Sequence, residues 1–316
     1  MGFFDTILFP IQWVVAWIMY GSHQLFTSLG FQDGPGFAWV LSIVALVIVI
    51  RILLIPLFFK QIKASRGMQM MQPELQAIQK KYKNKKDPSS REAMGRETME
   101  LYRKHGTNPM ASCMPILLQS PIFFALFRVL YNLPPIADGT KEAIGPIDAS
   151  VAADIEHSSL FGAQLSDIFL QTDDWGARIV ILFLIVAMSA TTFFTQRQLT
   201  MKNMPKAALE GPMANTQKMM LYALPVIFLI SGVNFPVGVL IYWTTTNLWS
   251  MGQQFYTIKR MPAPGSEAER LLNEKRAAKA AKKGIVVEEE STEIEPPKPV
   301  GQRQQPVRKN RKKKKR

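Results

Sequence analysis

Arg51 is the side chain whose chemistry most needs an account. It is the only charged residue in the apolar run FAWVLSIVALVIVIRILLIPLFF, residues 37–59. A bilayer core takes about 20 apolar residues in helix, so this run can cross one. A cation inside it costs roughly 2.5–3.5 kcal/mol on insertion scales, so the protein must either use that charge or hydrate it. Other apolar runs carry neutral polar groups. In 236–257, Trp243, Thr246, Asn247, Ser250 and Gln254 recur at three- and four-residue steps and share a helix face, with Thr244, Thr245 and Gln253 beside it. Residues 178–197 hold Ser189, Thr191, Thr192, Thr195 and Gln196, and residues 109–132 hold Ser112, Gln119 and Ser120. Such hydroxyls often only bond their own helix or glue helices together. Arg51, Gln119, Gln196 and Asn247 taken together predict a water-accessible cavity, open to the cytoplasm, with Arg51 as its fixed charge. No acid occurs in any of these runs, which predicts a cation without an ion-pair partner. Such a charge attracts acidic segments and lowers the cost of bringing polar chain into the bilayer.

Bond-making chemistry has no comparable signal. Cys113 is the single cysteine, and His23, His105 and His157 lie far apart, so neither a disulfide nor a metal cluster is expected. P-loop, HExxH and GxSxG patterns are absent from the sequence. The reading is a protein that is not an enzyme and needs no metal or cofactor.

The elements that must position these groups follow from hydropathy and charge. Apolar blocks alternate with basic ones at a net charge of +14, the layout of a polytopic membrane protein. Five transmembrane helices are predicted, at 37–59, 108–132, 178–197, 218–234 and 236–257, with Phe235-Pro236 turning the fourth into the fifth. Residues 60–107 carry twelve Lys/Arg, whereas 133–177 carry Lys141 against eight acids. The basic segments belong in the cytoplasm. That places 1–36 and 133–177 outside, and 60–107, 198–217 and the tail 258–316 inside, with the N-terminus out and the C-terminus in. No basic stretch precedes the first apolar segment, so no cleavable signal is expected. Residues 7–29, rich in Trp and Tyr but interrupted by Gln12, His23 and Gln24, read as an amphipathic helix on the outer surface, ahead of a sixth span.

The 60–107 segment reads as a helical hairpin. Met68, Met71, Leu75, Ile78 and Tyr82 form one apolar stripe. Asp87-Pro88 breaks it, Ser89 and Glu92 form a capping box for the second helix, and Gly106 ends that helix. Asn108 and Pro109 then start the second span. A short helix is expected over 267–283. The remaining tail, including RKNRKKKKR, cannot bury a core and is expected to be disordered.

At this level of detail the chain resembles the YidC/Oxa membrane protein insertases, in the bacterial form without a large extracytoplasmic domain. The resemblance rests on VIRILLIPL (49–57), MMQPELQAIQKKYK (70–83), GTNPMASCMPILLQSPIFFALFRVL (106–130), LPVIF (224–228) and FPVGVLIYWTTTNLWSMGQQ (235–254), in family order. It implies an all-α protein with a five-helix core around a hydrophilic groove, a mobile cytoplasmic hairpin that receives substrates, and a basic tail. Arg51 matches the groove arginine, and Tyr242, Trp243 and Asn247 match the last-span block past which substrate helices slide. The implied groove is Arg51, Gln119, Gln196, Trp243, Thr246 and Asn247. The implied receiving surface is Met68, Met71, Leu75 and Tyr82. Val47 stands where some members have a polar Thr, which predicts a less polar groove at that level.

The implied partners are nascent membrane proteins, the Sec translocon and the ribosome. The cluster Arg308, Lys309, Arg311, Lys312, Lys313, Lys314, Lys315 and Arg316 could bind rRNA phosphates, or anionic lipid at about 1 kcal/mol per basic residue. Two rivals remain at this stage. A small-solute secondary transporter lacks the inverted repeats and paired ionisable sites expected of one. A membrane-tethered RNA-binding protein rests on the tail alone.

Overall fold

The structure is a computed structural model that describes residues 3–32, 37–85, 87–108, 114–198, 212–263 and 265–281. It is mostly helical: α1 (Phe3–Ser28), α2 (Ala38–Leu53), α3 (Ile55–Met70), α4 (Gln72–Tyr82), α5 (Pro88–Lys104), α6 (Met114–Tyr131), α7 (Leu133–Ala137), α8 (Ala149–His157), α9 (Trp175–Arg197), α10 (Pro212–Ser231), α11 (Val237–Arg260) and α12 (Glu267–Ala281). A small antiparallel hairpin, β1 (Ser159–Leu160) and β2 (Ala163–Gln164), follows α8. The helix at Glu267–Ala281 falls where the composition predicted one. Residues 282–316 lie outside the described residues, as do 109–113, where the second span was expected to begin.

The main core is one cluster centred on α2, α6, α9 and α11. Trp39, Ile43 and Leu46 of α2 meet Leu126 and Leu130 of α6, Ile181 and Ile185 of α9, and Val237 to Leu240 of α11 in it, all essentially inaccessible to solvent. Close approach is built in at Gly238, where an added Cβ would lie 2.8 Å from Leu130 Cδ1 and 3.3 Å from Ile43 Cδ1.

The first apolar run departs from the straight 37–59 span. It breaks at Leu54, and the segments Ala38–Leu53 and Ile55–Ile62 are bent by 56°. Pro56 supplies the reason: it has no N–H to donate to Ile52, and its ring crowds that carbonyl. Arg51 therefore sits one turn before a kink, and the climb of roughly 13 Å that a straight helix would give between it and Lys60 is shortened. By length and composition Trp175–Arg197 can cross a membrane, as can the bent pair taken as one, while Leu117–Tyr131 and Lys218–Asn234 are apolar but shorter.

The acid-rich 133–177 segment is folded. Leu133, Ile136, Ile144, Ile147, Ile155 and Leu165 are buried and extend the main core. Its backbone closes the start of α11: Val237 N–H donates to Asp167 O and Gly238 N–H to Leu165 O, each at 3.0 Å, satisfying donors that a helix start leaves open. Helix α1 docks on α2 and α6. It turns Gln12, Val15, Ala16, Met19 and His23 inward and leaves Trp13, Val14, Trp17 and Leu25 exposed. Of the polar residues that interrupt this helix in sequence, Gln12 and His23 are on its protein face, whereas Gln24 is exposed. His23 stacks on Trp39 at 3.8 Å, and Trp39 Nε1 donates to Asp154 Oδ2 at 2.7 Å, tying α1, α2 and α8 together.

Gly238→Val puts two methyl groups where Leu130 and Ile43 already stand. The expected result is a loss of roughly 1–3 kcal/mol, the usual cost of overpacking, read as a lower thermal unfolding temperature of the detergent-purified protein. An unchanged temperature would mean that this three-helix contact is loose.

Candidate functional site: a polar notch around Arg51

Three elements bring polar groups to the C-terminal end of α2. Arg51 Nη2 donates to Ser250 Oγ on α11 at 3.0 Å. Gln119 Nε2 on α6 donates to the Tyr242 hydroxyl, two turns up α11 from Ser250. Arg51 and Gln119 line one cavity of about 40 Å³ together with Gln61, Gln253, Leu54, Leu57, Phe58 and Leu118. That volume holds about one water, not a helix. Among the described residues Arg51 meets no carboxylate, in keeping with the absence of acids from the apolar runs.

The other groove candidates do not line this cavity. Trp243 packs edge-on against Phe228 at 4.4 Å and Phe123 at 4.9 Å. Asn247 Nδ2 donates to Thr192 Oγ1 at 2.8 Å, to Met188 O at 3.2 Å and to Thr191 Oγ1 at 3.3 Å, clamping α11 to α9. Gln196 is half-buried on α9 and Thr246 is buried on α11, and neither lines the Arg51 cavity. The helical spacing of α11 allows two readings, 243-247-250-254 or 242-246-250-253. Ser250 belongs to both, and the second is the one that faces Arg51 through Ser250 and Gln253. Gln61 was assigned to the cytoplasmic segment by its place beside Lys60. The Pro56 kink is the signal that could have brought it back under Arg51.

The hairpin stripe is used internally. Met71 and Leu75 are buried against Leu101, with Ile78 and Tyr102 packed around them, so this face holds α4 to α5. Tyr82 Oη donates to Glu97 Oε1 at 2.8 Å, and Lys81 Nζ bonds the same oxygen at 2.5 Å. Met68 lies on α3, half-buried, because the chain breaks at Met71 ahead of Pro73. The second helix is capped two positions earlier than the capping box implied. Asp87 is the N-cap, accepting from Ser90 N–H at 2.8 Å and from Ser89 Oγ at 2.6 Å, with Pro88 at the first helical position. Asp precedes the Pro, so it takes the cap that Ser89 would otherwise hold. Gly106, at φ +59°, ends the helix as expected. The basic residues Arg308 to Arg316 lie outside the described residues.

Residues 30–264 match a family model described as "60Kd inner membrane protein". A membrane protein insertase YidC from Streptomyces avermitilis is 46% identical over 84% of this chain and 60% of its own length. Those from Bifidobacterium longum and Tropheryma whipplei are 38% and 42% identical, over 99% and 98% of this chain and 96% of their own. The chain belongs to the YidC/Oxa family of membrane proteins. It spans three-fifths of the Streptomyces relative and nearly the whole of the other two.

Two predictions follow from this geometry. Asn247→Ala removes the α9–α11 clamp without touching the Arg51 cavity, and is expected to cost roughly 1–2 kcal/mol in thermal stability; no loss would show the three bonds to be incidental. The second concerns pH. The Asp87 carboxyl, held by the Ser89 and Ser90 bonds, is pulled down to about 2. Lys81 and Tyr82 hold the Glu97 carboxyl below its ordinary value. A carboxylate lowered in the folded state stabilises fully above its unfolded value, and this is lost as pH falls through the folded one. Amide protection in α4 and α5, measured against the intrinsic exchange rate at each pH, should therefore be high and flat above about pH 5 and fall on acidification, with Glu97→Gln lowering it at neutral pH. A hairpin equally protected at pH 2 and pH 6 would contradict this.

Proposed function

We propose that this protein is an insertase and chaperone that brings newly made membrane proteins into the bacterial inner membrane. The observation that carries the reading is the guanidinium of Arg51, held by Ser250 beside Gln61, Gln119 and Gln253 in an otherwise apolar wall. In this reading five helices cross the membrane, built on α2–α3, α6, α9, α10 and α11, with the N-terminus outside and the tail in the cytoplasm. The basic segments on one side and the eight acids of 133–177 on the other support that orientation.

The cavity is then the head of a cytoplasm-open polar groove in its unoccupied shape. Ser189, Thr195, Trp249 and Gln254 bury polar atoms that meet no protein partner among the described residues. Buried polar atoms need partners, which supports water along the inner parts of α9 and α11. A nascent segment reaches the hairpin, and its short polar flank enters beside Arg51, drawn by the one fixed charge. Partition of the apolar segment into lipid then completes the step. Burying a 20-residue apolar helix supplies on the order of tens of kcal/mol before entropic costs, so no nucleotide is required. The ribosome and anionic lipids are the partners that fit the basic tail, and the family resemblance adds the Sec translocon.

The test is insertion of a single-span substrate with an acidic outer tail. Arg51→Ala should reduce it and Arg51→Glu should reduce it further, because the latter repels the tail. Unchanged insertion with both variants would overturn the role given to Arg51.

A further inference from the structure

The turn between β1 and β2 breaks a local rule. Strand pairing of Ser159 with Gln164 and Leu160 with Ala163 leaves Phe161 and Gly162 as a two-residue loop. Both have positive φ, +51° and +90°. A loop of this kind favours Asn-Gly, because a side chain with a Cβ is strained there and a bulky one most of all. Phe161 is the only non-glycine with positive φ among the described residues. Its ring is also 76% exposed. The position thus combines backbone strain with an aromatic ring offered to the surroundings, and in water neither cost is returned.

Its neighbours say what surrounds it. The Phe161 ring meets Phe37 edge-on at 5.6 Å, and Phe37, itself 44% exposed, is the residue directly before α2, where the first apolar run begins. Around the turn, residues 158–166 (SSLFGAQLS) carry no charge, inside a segment that otherwise holds eight acids. A neutral, aromatic-tipped turn at the mouth of an apolar helix has the composition of a membrane interface, where rings sit at headgroup level and carboxylates are kept away.

We infer that the β1–β2 turn is a lipid anchor, with Phe161 and Phe37 seated in the headgroup layer of the outer leaflet. The anchor fixes the depth of the folded 133–177 cap and, through the Asp167 and Leu165 carbonyls that close α11, the depth of the helix carrying Ser250. This rests on the reading that puts 133–177 outside. The tip accepts lipid; a second protein seated on it is the competing outcome.

The experiment uses the full chain with Cys113→Ser, and Phe161→Cys, Phe37→Cys or Asp173→Cys carrying a nitroxide, in vesicles of phosphatidylethanolamine and phosphatidylglycerol. Accessibility to oxygen, which concentrates in lipid, is compared with accessibility to a water-soluble nickel complex. The oxygen-to-nickel ratio should be several-fold higher at positions 161 and 37 than at exposed position 173. Equal ratios at all three positions would overturn the inference. Protection of position 161 from both agents would also overturn it, in favour of a protein contact. A membrane-impermeant maleimide on intact cells separates the two readings. Labelling at position 173 keeps the outside placement whatever the ratio, whereas labelling only after lysis removes that placement and the anchor with it.

Discussion

Arg51 donates to Ser250 across the contact between α2 and α11, a bond between a full charge and a neutral hydroxyl that ties the C-terminal end of α2 to α11. A guanidinium has five N–H donors and needs acceptors or water for each. Among the described residues its polar neighbours are the Ser250 hydroxyl and the amides of Gln61, Gln119 and Gln253, with no carboxylate. A carboxylate would neutralise the charge and end its attraction for anything passing. Neutral partners position the charge and leave its field intact.

Under the proposed role, other features keep that field usable. The break at Leu54, forced by Pro56, bends the chain directly below Arg51 and folds Gln61 into the same cavity. The opposite end of the bundle is built by other means: a tight apolar core, a Gly238 contact that admits no side chain, and the folded 133–177 segment whose carbonyls complete α11. One end of the bundle is filled by apolar side chains, and the other holds the polar cavity around Arg51. That asymmetry is what a protein needs if polar chain is to enter from one side and not leak through to the other.

Arg51 and Gln119 were legible in the sequence because polar side chains are expensive in an apolar run and therefore stand out. The hairpin's two helices, Gly106 as the stop and the helix near 267 were legible for a similar reason, since breakers and periodicity act locally. The face of α11 was not. Periods of three and four permit two faces that share Ser250, and only the neighbours decide that Asn247 clamps α9 while Gln253 faces Arg51. The use of Met71 and Leu75 was equally hidden, because an apolar stripe reads the same whether it awaits a substrate or packs on α5. The fold of 133–177 escaped because its elements are short and its burial is tertiary.

The central claim is that polypeptide passes the Arg51 face of α11. Site-specific photocrosslinking during translation tests it directly, with the probe at position 253 in one variant and at position 243 in another, against a ribosome-bound nascent membrane segment. The account predicts crosslinks from position 253, which lines the cavity, and few from position 243, which is enclosed by Phe123 and Phe228. Strong crosslinking from position 243 with silence at 253 would contradict it.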